Sequence, residues 1–180
     1  MRKPKEIVNY NVNLIKLFIY NYMIYNKKTN ILFVCHVNIC RSAMAEFICK
    51  ALVKARGLED LYHIESAAVS DEEIGNHIYP PAQRCLRQHG VWFDPSKTAR
   101  RVRPEDYSRF DRLICMDRSN LRRLEGIIGG DPQGKVHLMM SYTGSSREVA
   151  DPWYTGDFEQ TFQDVLSACE AMLDGPESIG

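Results

Sequence analysis

Four consecutive apolar residues, Ile31-Leu32-Phe33-Val34, constrain this chain more than any other feature. A strand that is apolar at every position has no face to offer water. It belongs inside a sheet covered on both sides. Residues 35–41 then turn the chain into a helical pattern over residues 42–56. Ala45, Ile48, Cys49, Leu52 and Val53 share one face of that helix, and Gly57 ends it. The alternation repeats. Residues 62–66, 113–116 and 136–139 read as further strands. A helix follows Pro80-Pro81, with Cys85 and Leu86 turned inward and Gly90 as its stop. A last helix covers residues 157–173, with Phe158, Phe162, Val165, Cys169 and Met172 on its apolar stripe. This order predicts an α/β fold: a four-stranded parallel sheet with helices on both faces, in three layers α/β/α. Ligands bind such sheets beyond the carboxyl ends of the strands. The segments after Val34 and after Met116 fall there.

Composition narrows the function. The chain has 180 residues, 44% hydrophobic and 26% charged, with a formal net charge of zero. Nothing in that balance calls for nucleic acid as a partner. None of the six cysteines forms a Cys-x-x-Cys pair, and the histidines His36, His63, His77, His89 and His137 show no metal spacing. No metal and no cofactor is expected. Cys49, Cys85 and Cys169 read as buried small hydrophobes. Free thiols without an export signal point to the cytoplasm.

Residues 1–29 stand apart. The first thirty residues hold six of the nine asparagines and six Lys/Arg against one acid, Glu6. Beyond them lie 17 Lys/Arg and 22 Asp/Glu, a net of −5. Residues 7–26 are long enough to span a membrane, but five asparagines and Lys16 interrupt them. The segment reads as a disordered extension, with a peripheral membrane anchor as the lesser alternative. The expected catalytic domain is 30–175, followed by a tail at 176–180.

The segment Val34-Cys35-His36-Val37-Asn38-Ile39-Cys40-Arg41-Ser42 carries the chemistry. A loop between a strand end and a helix start aims successive backbone N–H groups at one point, and the helix adds its positive end. That is an oxyanion receptor. Arg41 offers a planar fork to two phosphate oxygens. Cys35 sits at the base, where amides, helix end and guanidinium all favour its thiolate, a nucleophile for phosphorus. Ser42 can hydrogen-bond the sulfur. Asn38 suits a left-handed position that shapes the loop. The loop lacks the Gly-x4-Gly-Lys pattern of nucleotide sites.

Ester cleavage also needs an acid for the leaving oxygen. Asp151-Pro152-Trp153-Tyr154 supplies one. Pro152 stiffens the loop that holds Asp151, and Trp153 and Tyr154 can wall an aromatic slot.

These motifs resemble the low-molecular-weight protein tyrosine phosphatase family. The resemblance runs from Asn30 to Leu173. It opens with Val-Cys-x-x-Asn-Ile-Cys-Arg-Ser and Ala45-Glu46. It continues through Ser66 and Ala68-Val69-Ser70, then Cys115-Met116-Asp117-x-Ser119-Asn120, and closes on Asp151-Pro152-Trp153-Tyr154. It implies hydrolysis of phosphotyrosine in proteins through a phosphocysteine, without metal. Cys35, Arg41 and Asp151 then take the catalytic roles, and His36, Val37, Asn38, Ile39, Cys40 and Ser42 form the phosphate loop. Ser66 supports the loop. Cys40 matches a loop cysteine that can trap Cys35 as a reversible disulfide.

Four departures stand out. Val37 replaces a usual Gly, and Ala43 a usual Pro. Lys97 replaces a loop-supporting His, which puts its link to Asn38 in question. Glu72 replaces an aromatic of the slot and should weaken binding of acidic phosphopeptides. Three alternatives remain. Protein arginine phosphatases of this fold usually carry Thr where Ile39 stands. Arsenate reductases need a redox segment, and residues 72–108 hold only Cys85. A non-catalytic phosphate-binding module would account for Val37, Ala43 and Lys97. Arg100, Arg101 and Arg103 read as a solvated loop, and Arg118, Arg122 and Arg123 as an exposed helix face.

Overall fold

The computed structural model describes residues 28–175. Its centre is one sheet of four parallel strands: β1 (Thr29–Cys35), β2 (Tyr62–Ala68), β3 (Arg112–Cys115) and β4 (Val136–Leu138). The spatial order is β2-β1-β3-β4, so β1 is interior, paired with β2 and β3. Among the described residues six helices surround it: α1 (Arg41–Ala55), α2 (Pro80–Gln88), α3 (Asp106–Arg109), α4 (Arg118–Ile128), α5 (Pro152–Thr155) and α6 (Phe158–Asp174).

Residues Ile31 to Val34 are fully buried, as an interior strand with both faces covered requires. Their side chains alternate between two cores. Ile31, Phe33 and Cys35 join Met44, Phe47, Ile48, Leu86, Phe162 and Val165 beneath α1, α2 and α6. Leu32 and Val34 join Phe110, Leu113 and Leu124 beneath α3 and α4. Both faces are thus closed, and the expected three-layer α/β architecture is what forms. Helix ends follow the glycine signals: Gly57 (φ 66) comes just after α1 and Gly90 (φ 67) just after α2.

Element limits shift in instructive ways. β1 already includes Thr29, whose N–H donates to the Leu61 carbonyl at 2.8 Å, so pairing with β2 extends the strand into the polar residues before it. Residues 1–27 and 176–180, where the extension and the C-terminal tail were expected, lie outside the described residues. Among those described, no helix is long and apolar enough to cross a membrane. Met139 is not in β4 but opens a 3-10 turn, Met139–Thr143. Asp157 caps α6, accepting from the Gln160 N–H at 2.8 Å.

Arg101 and Arg103 are exposed, as a solvated loop requires, but Arg100 corrects that expectation. Arg100 pairs with Asp106 and Glu65, each at 2.9 Å. Arg101 pairs with Asp71. Asp106 is fully buried and needs such partners; the Arg103 N–H donates to it as well. The backbone around Arg100 also runs beside β2, giving and taking hydrogen bonds at Ala68. Arg118, Arg122 and Arg123 are exposed on α4, as expected.

Candidate active site

Cys35 is the last residue of interior strand β1, and Arg41 is the first of α1. The five residues between them close a loop over the sheet's carboxyl edge. Asn38 makes that turn possible: it is the one non-glycine residue with positive φ (61°) among the described residues. Val37 therefore sits at negative φ, where a β-branched side chain is allowed, and its replacement of Gly strains nothing. Its side chain packs beside Ile39, Cys40 and Ala99.

The Asn38 side chain knits the loop together. Its Nδ2 donates to Ser42 Oγ and to Ser66 Oγ, both at 2.8 Å, and its Oδ1 accepts from the Arg100 N–H at 3.2 Å. Above this knot, Cys35 Sγ lies 3.0 Å from Ser42 Oγ and accepts from the Asn38 N–H at 3.2 Å. Asn38 already donates into Ser42 Oγ, so the serine's own proton is left for the sulfur. Ser42 Oγ and the Asn38 N–H thus both face the sulfur, where both can donate to a thiolate.

The support continues below. Ser66 Oγ donates to Glu46 Oε2 at 2.6 Å, and the same carboxylate pairs with Lys97 at 2.8 Å and Lys50 at 2.5 Å. Burial alone would raise the Glu46 pKa, but Lys97 and Lys50 outweigh it and hold the carboxyl below its ordinary range. Lys97 thus reaches Asn38 indirectly, through Glu46 and Ser66, with a further 3.4 Å contact to the Ser66 carbonyl. The departure from His is met by an ion pair rather than lost.

Arg41 is buried at 4% exposure and held from three sides. It donates to Asp117 Oδ2 at 2.7 Å, Asp151 Oδ2 at 2.6 Å and the Val149 carbonyl at 3.2 Å. Burial disfavours its charge, but Cys35, Asp151 and Asp117 prevail and raise its pKa further. Asp117 also caps α4, its Oδ1 accepting from the Asn120 N–H at 2.6 Å. One carboxylate therefore fixes a helix start and the Arg41 fork. Sequence reading placed Asp117 in a motif without giving it this role; an Asp-x-Ser-Asn segment after an apolar strand signals the cap, but nothing local signals the arginine.

A cavity of about 150 Å³ opens over Cys35. Cys35, His36, Val37, Ile39, Cys40, Arg41, Glu72, Glu73, Asp151, Trp153 and Tyr154 line it. Ten of these were candidates from sequence; Glu73 was not. Asn38, Ser42 and Ser66 lie beneath the cavity rather than on its wall. Asp151 caps the short helix α5, accepting from the Trp153 N–H at 3.1 Å. Trp153 lies against Tyr79, ring centroids 5.3 Å apart. At the rim, His36 Nε2 meets Glu72 Oε1 at 2.9 Å. Burial, then the charges of Cys35 and Asp151, push the Cys40 thiol up to about 12, so it stays protonated beside Cys35. One grouping of Cys, His and carboxylate donors with metal-site spacing occurs among the described residues, Cys85, His89 and Glu159, away from this cavity.

A buried thiol under converging donors, an arginine fork and a carboxylic acid on one small cavity define a cysteine-based phosphatase site on a parallel α/β sheet. The comparisons agree. The family model described as low molecular weight phosphotyrosine protein phosphatase matches residues 30–179, and this chain belongs to that family. It is 38% identical over 150 residues to the low molecular weight phosphotyrosine protein phosphatase of Sus scrofa, covering 81% of this chain and 94% of that one. It is 37% identical over 146 residues to the low molecular weight protein-tyrosine-phosphatase YfkJ of Bacillus subtilis, covering 80% and 93%. The crystal structure of YfkJ superposes with a TM-score of 0.80, covering 84% of this chain and 96% of YfkJ. A Drosophila arginine phosphatase structure is also similar, 32% identical with a TM-score of 0.72 over 79% of this chain and 94% of that one.

Proposed function

We propose that this chain hydrolyses phosphotyrosine-type monoesters in proteins through a phosphocysteine. The observation that carries the reading is the convergence of Ser42 and the Asn38 N–H on Cys35 Sγ, with Arg41 and Asp151 on the same cavity. The Cys35 sulfur attacks phosphorus. As the S–P bond forms and the P–O bond breaks, Arg41 and the loop amides hold the phosphoryl oxygens. Asp151 gives its proton to the leaving phenolate. Water then attacks phosphorus, passing its proton to Asp151, and the sulfur leaves as a thiolate that accepts a hydrogen bond from Ser42. The Arg41–Asp151 pair must part when phosphate enters. Arg41 turns to the ligand, and Asp151 is freed to face the leaving oxygen.

Trp153 and Tyr154 favour an aryl leaving group. Glu72 and Glu73 on the same cavity suit a guanidinium, and together with the similarity to an arginine phosphatase they support phosphoarginine as the second reading. Six free thiols fit a reducing compartment, the cytoplasm. The test is hydrolysis of an aryl phosphate in chelator and reductant. Wild type turns over, Cys35→Ser is inert, and Asp151→Ala is crippled for the first step. An inactive wild type that still binds vanadate leaves only a phosphate-binding module. A rate on phosphoarginine above that on phosphotyrosine selects the second reading.

A further inference from the structure

Cys85 and His89 stand one helical turn apart at the end of α2, and Glu159 lies in the first turn of α6 facing them. One donor atom from each lies within 4.8 Å of the other two. We propose that Cys85, His89 and Glu159 form a site for a divalent transition metal of the zinc class, with water as the fourth ligand.

Three observations carry it. The donors are of three kinds, thiol, imidazole and carboxylate, a set that suits zinc and discriminates against magnesium and calcium. The His89 ring is held in place: it stacks on Phe162 with centroids 3.8 Å apart, and its Nε2 points to Glu159 Oε2 at 2.8 Å. An ion pair would need only those two residues, yet Cys85, at 4% exposure, presents its sulfur to the same corner. Two ligand atoms on one tetrahedral zinc stand about 3.5 Å apart, given bonds of about 2.0–2.3 Å. The present spacing needs a small contraction, which the Glu159 side chain, 58% exposed, can supply. On binding, the S–H bond breaks, sulfur bonds the metal, and one proton passes to solvent. The thiol's contact with the Phe158 carbonyl, 3.5 Å, is given up.

The site would clip α2 to α6. Tyr79 caps the start of α2 and touches both Trp153 and Phe158, so the clip lies on the seam that backs the aromatic wall. This inference stands apart from the phosphatase reading.

The experiment uses the full chain with Cys35→Ser and Cys40→Ser, so that the cavity thiols do not compete. Co²⁺ is titrated in a non-chelating reductant. One equivalent is expected to produce thiolate-to-cobalt charge-transfer absorption, tetrahedral ligand-field bands and release of one proton. Zn²⁺ should displace it and raise Tm. His89→Gln and Glu159→Gln change exposed side chains and should fold normally, yet each should weaken binding by at least about tenfold. Cys85→Ser should abolish the charge-transfer band. No band at stoichiometric Co²⁺, or a band unchanged in His89→Gln and Glu159→Gln, overturns the proposal.

Discussion

Beneath Cys35, Asn38, Ser42, Ser66 and Glu46 are all buried, and each has partners within 3.2 Å. Around the mouth, Trp153 and Tyr154 are 57% and 86% exposed, and Glu72 pairs only with His36 at the surface. The floor is pre-organised: its donors need no reorganisation when charge develops on sulfur or phosphorus. The rim is more exposed, and on the proposed mechanism Asp151 at its inner edge changes partner during the cycle. On the proposed mechanism, chemistry rests on the first region and choice of substrate on the second.

That contrast can be broken at several points, with the largest effects on the floor. Arg41→Lys keeps the charge but loses the fork, and kcat/KM on an aryl phosphate should fall about a thousandfold. A loss under tenfold would mean that geometry at Arg41 matters little. Asn38→Ala strips Ser42, Ser66 and the Arg100 N–H of a common partner. We expect kcat to fall about a hundredfold and stability by about 2 kcal/mol, read by steady-state kinetics and urea unfolding.

Glu46→Gln tests the ion-pair anchor. The Glu46 pKa is lowered in the folded state, so its stabilisation is present above the ordinary carboxylate value of 4.5 and fades as pH falls through the lower folded value. Glu46→Gln should cost about 3 kcal/mol at neutral pH, since it leaves the largely buried Lys97 without its partner's charge. The loss should shrink in acid, below the carboxylate range. A constant loss from neutral pH to acid would show that Glu46 acts through packing alone. At the rim, Glu72→Gln should leave kcat unchanged and lower KM for acidic phosphopeptides about two- to fivefold, as an exposed charge warrants. A larger change in kcat than in KM would erase the distinction between the two regions.

Much of this was legible beforehand because it is local. The Ile31–Val34 run, the turn from Cys35 to Arg41 and the left-handed Asn38 depend on near neighbours, and so does the start of the last helix near residue 157. Short or paired features were not. α3 is one turn long, too short for a periodicity, and Thr29 joins β1 only because Leu61 lies alongside. Arg100 looked solvated because its partners, Glu65 and the buried Asp106, are named by the fold and not by the motif.

By itself, the amino-acid order determined the parallel α/β class, the strand–loop–helix turn from Cys35 to Arg41, and the thiol, guanidinium and carboxylate that share one cavity. Local backbone geometry enforces these, since each loop residue inherits its position from the strand before and the helix after. Only the tertiary structure decided that Asp117 and Asp151, 76 and 110 residues from Arg41, grip it together. It also decided that Lys97 supports Asn38 through Glu46 and Ser66. Such contacts join the ends of different strands and loops, and a buried charge accepts whichever partners the packed chain brings within reach.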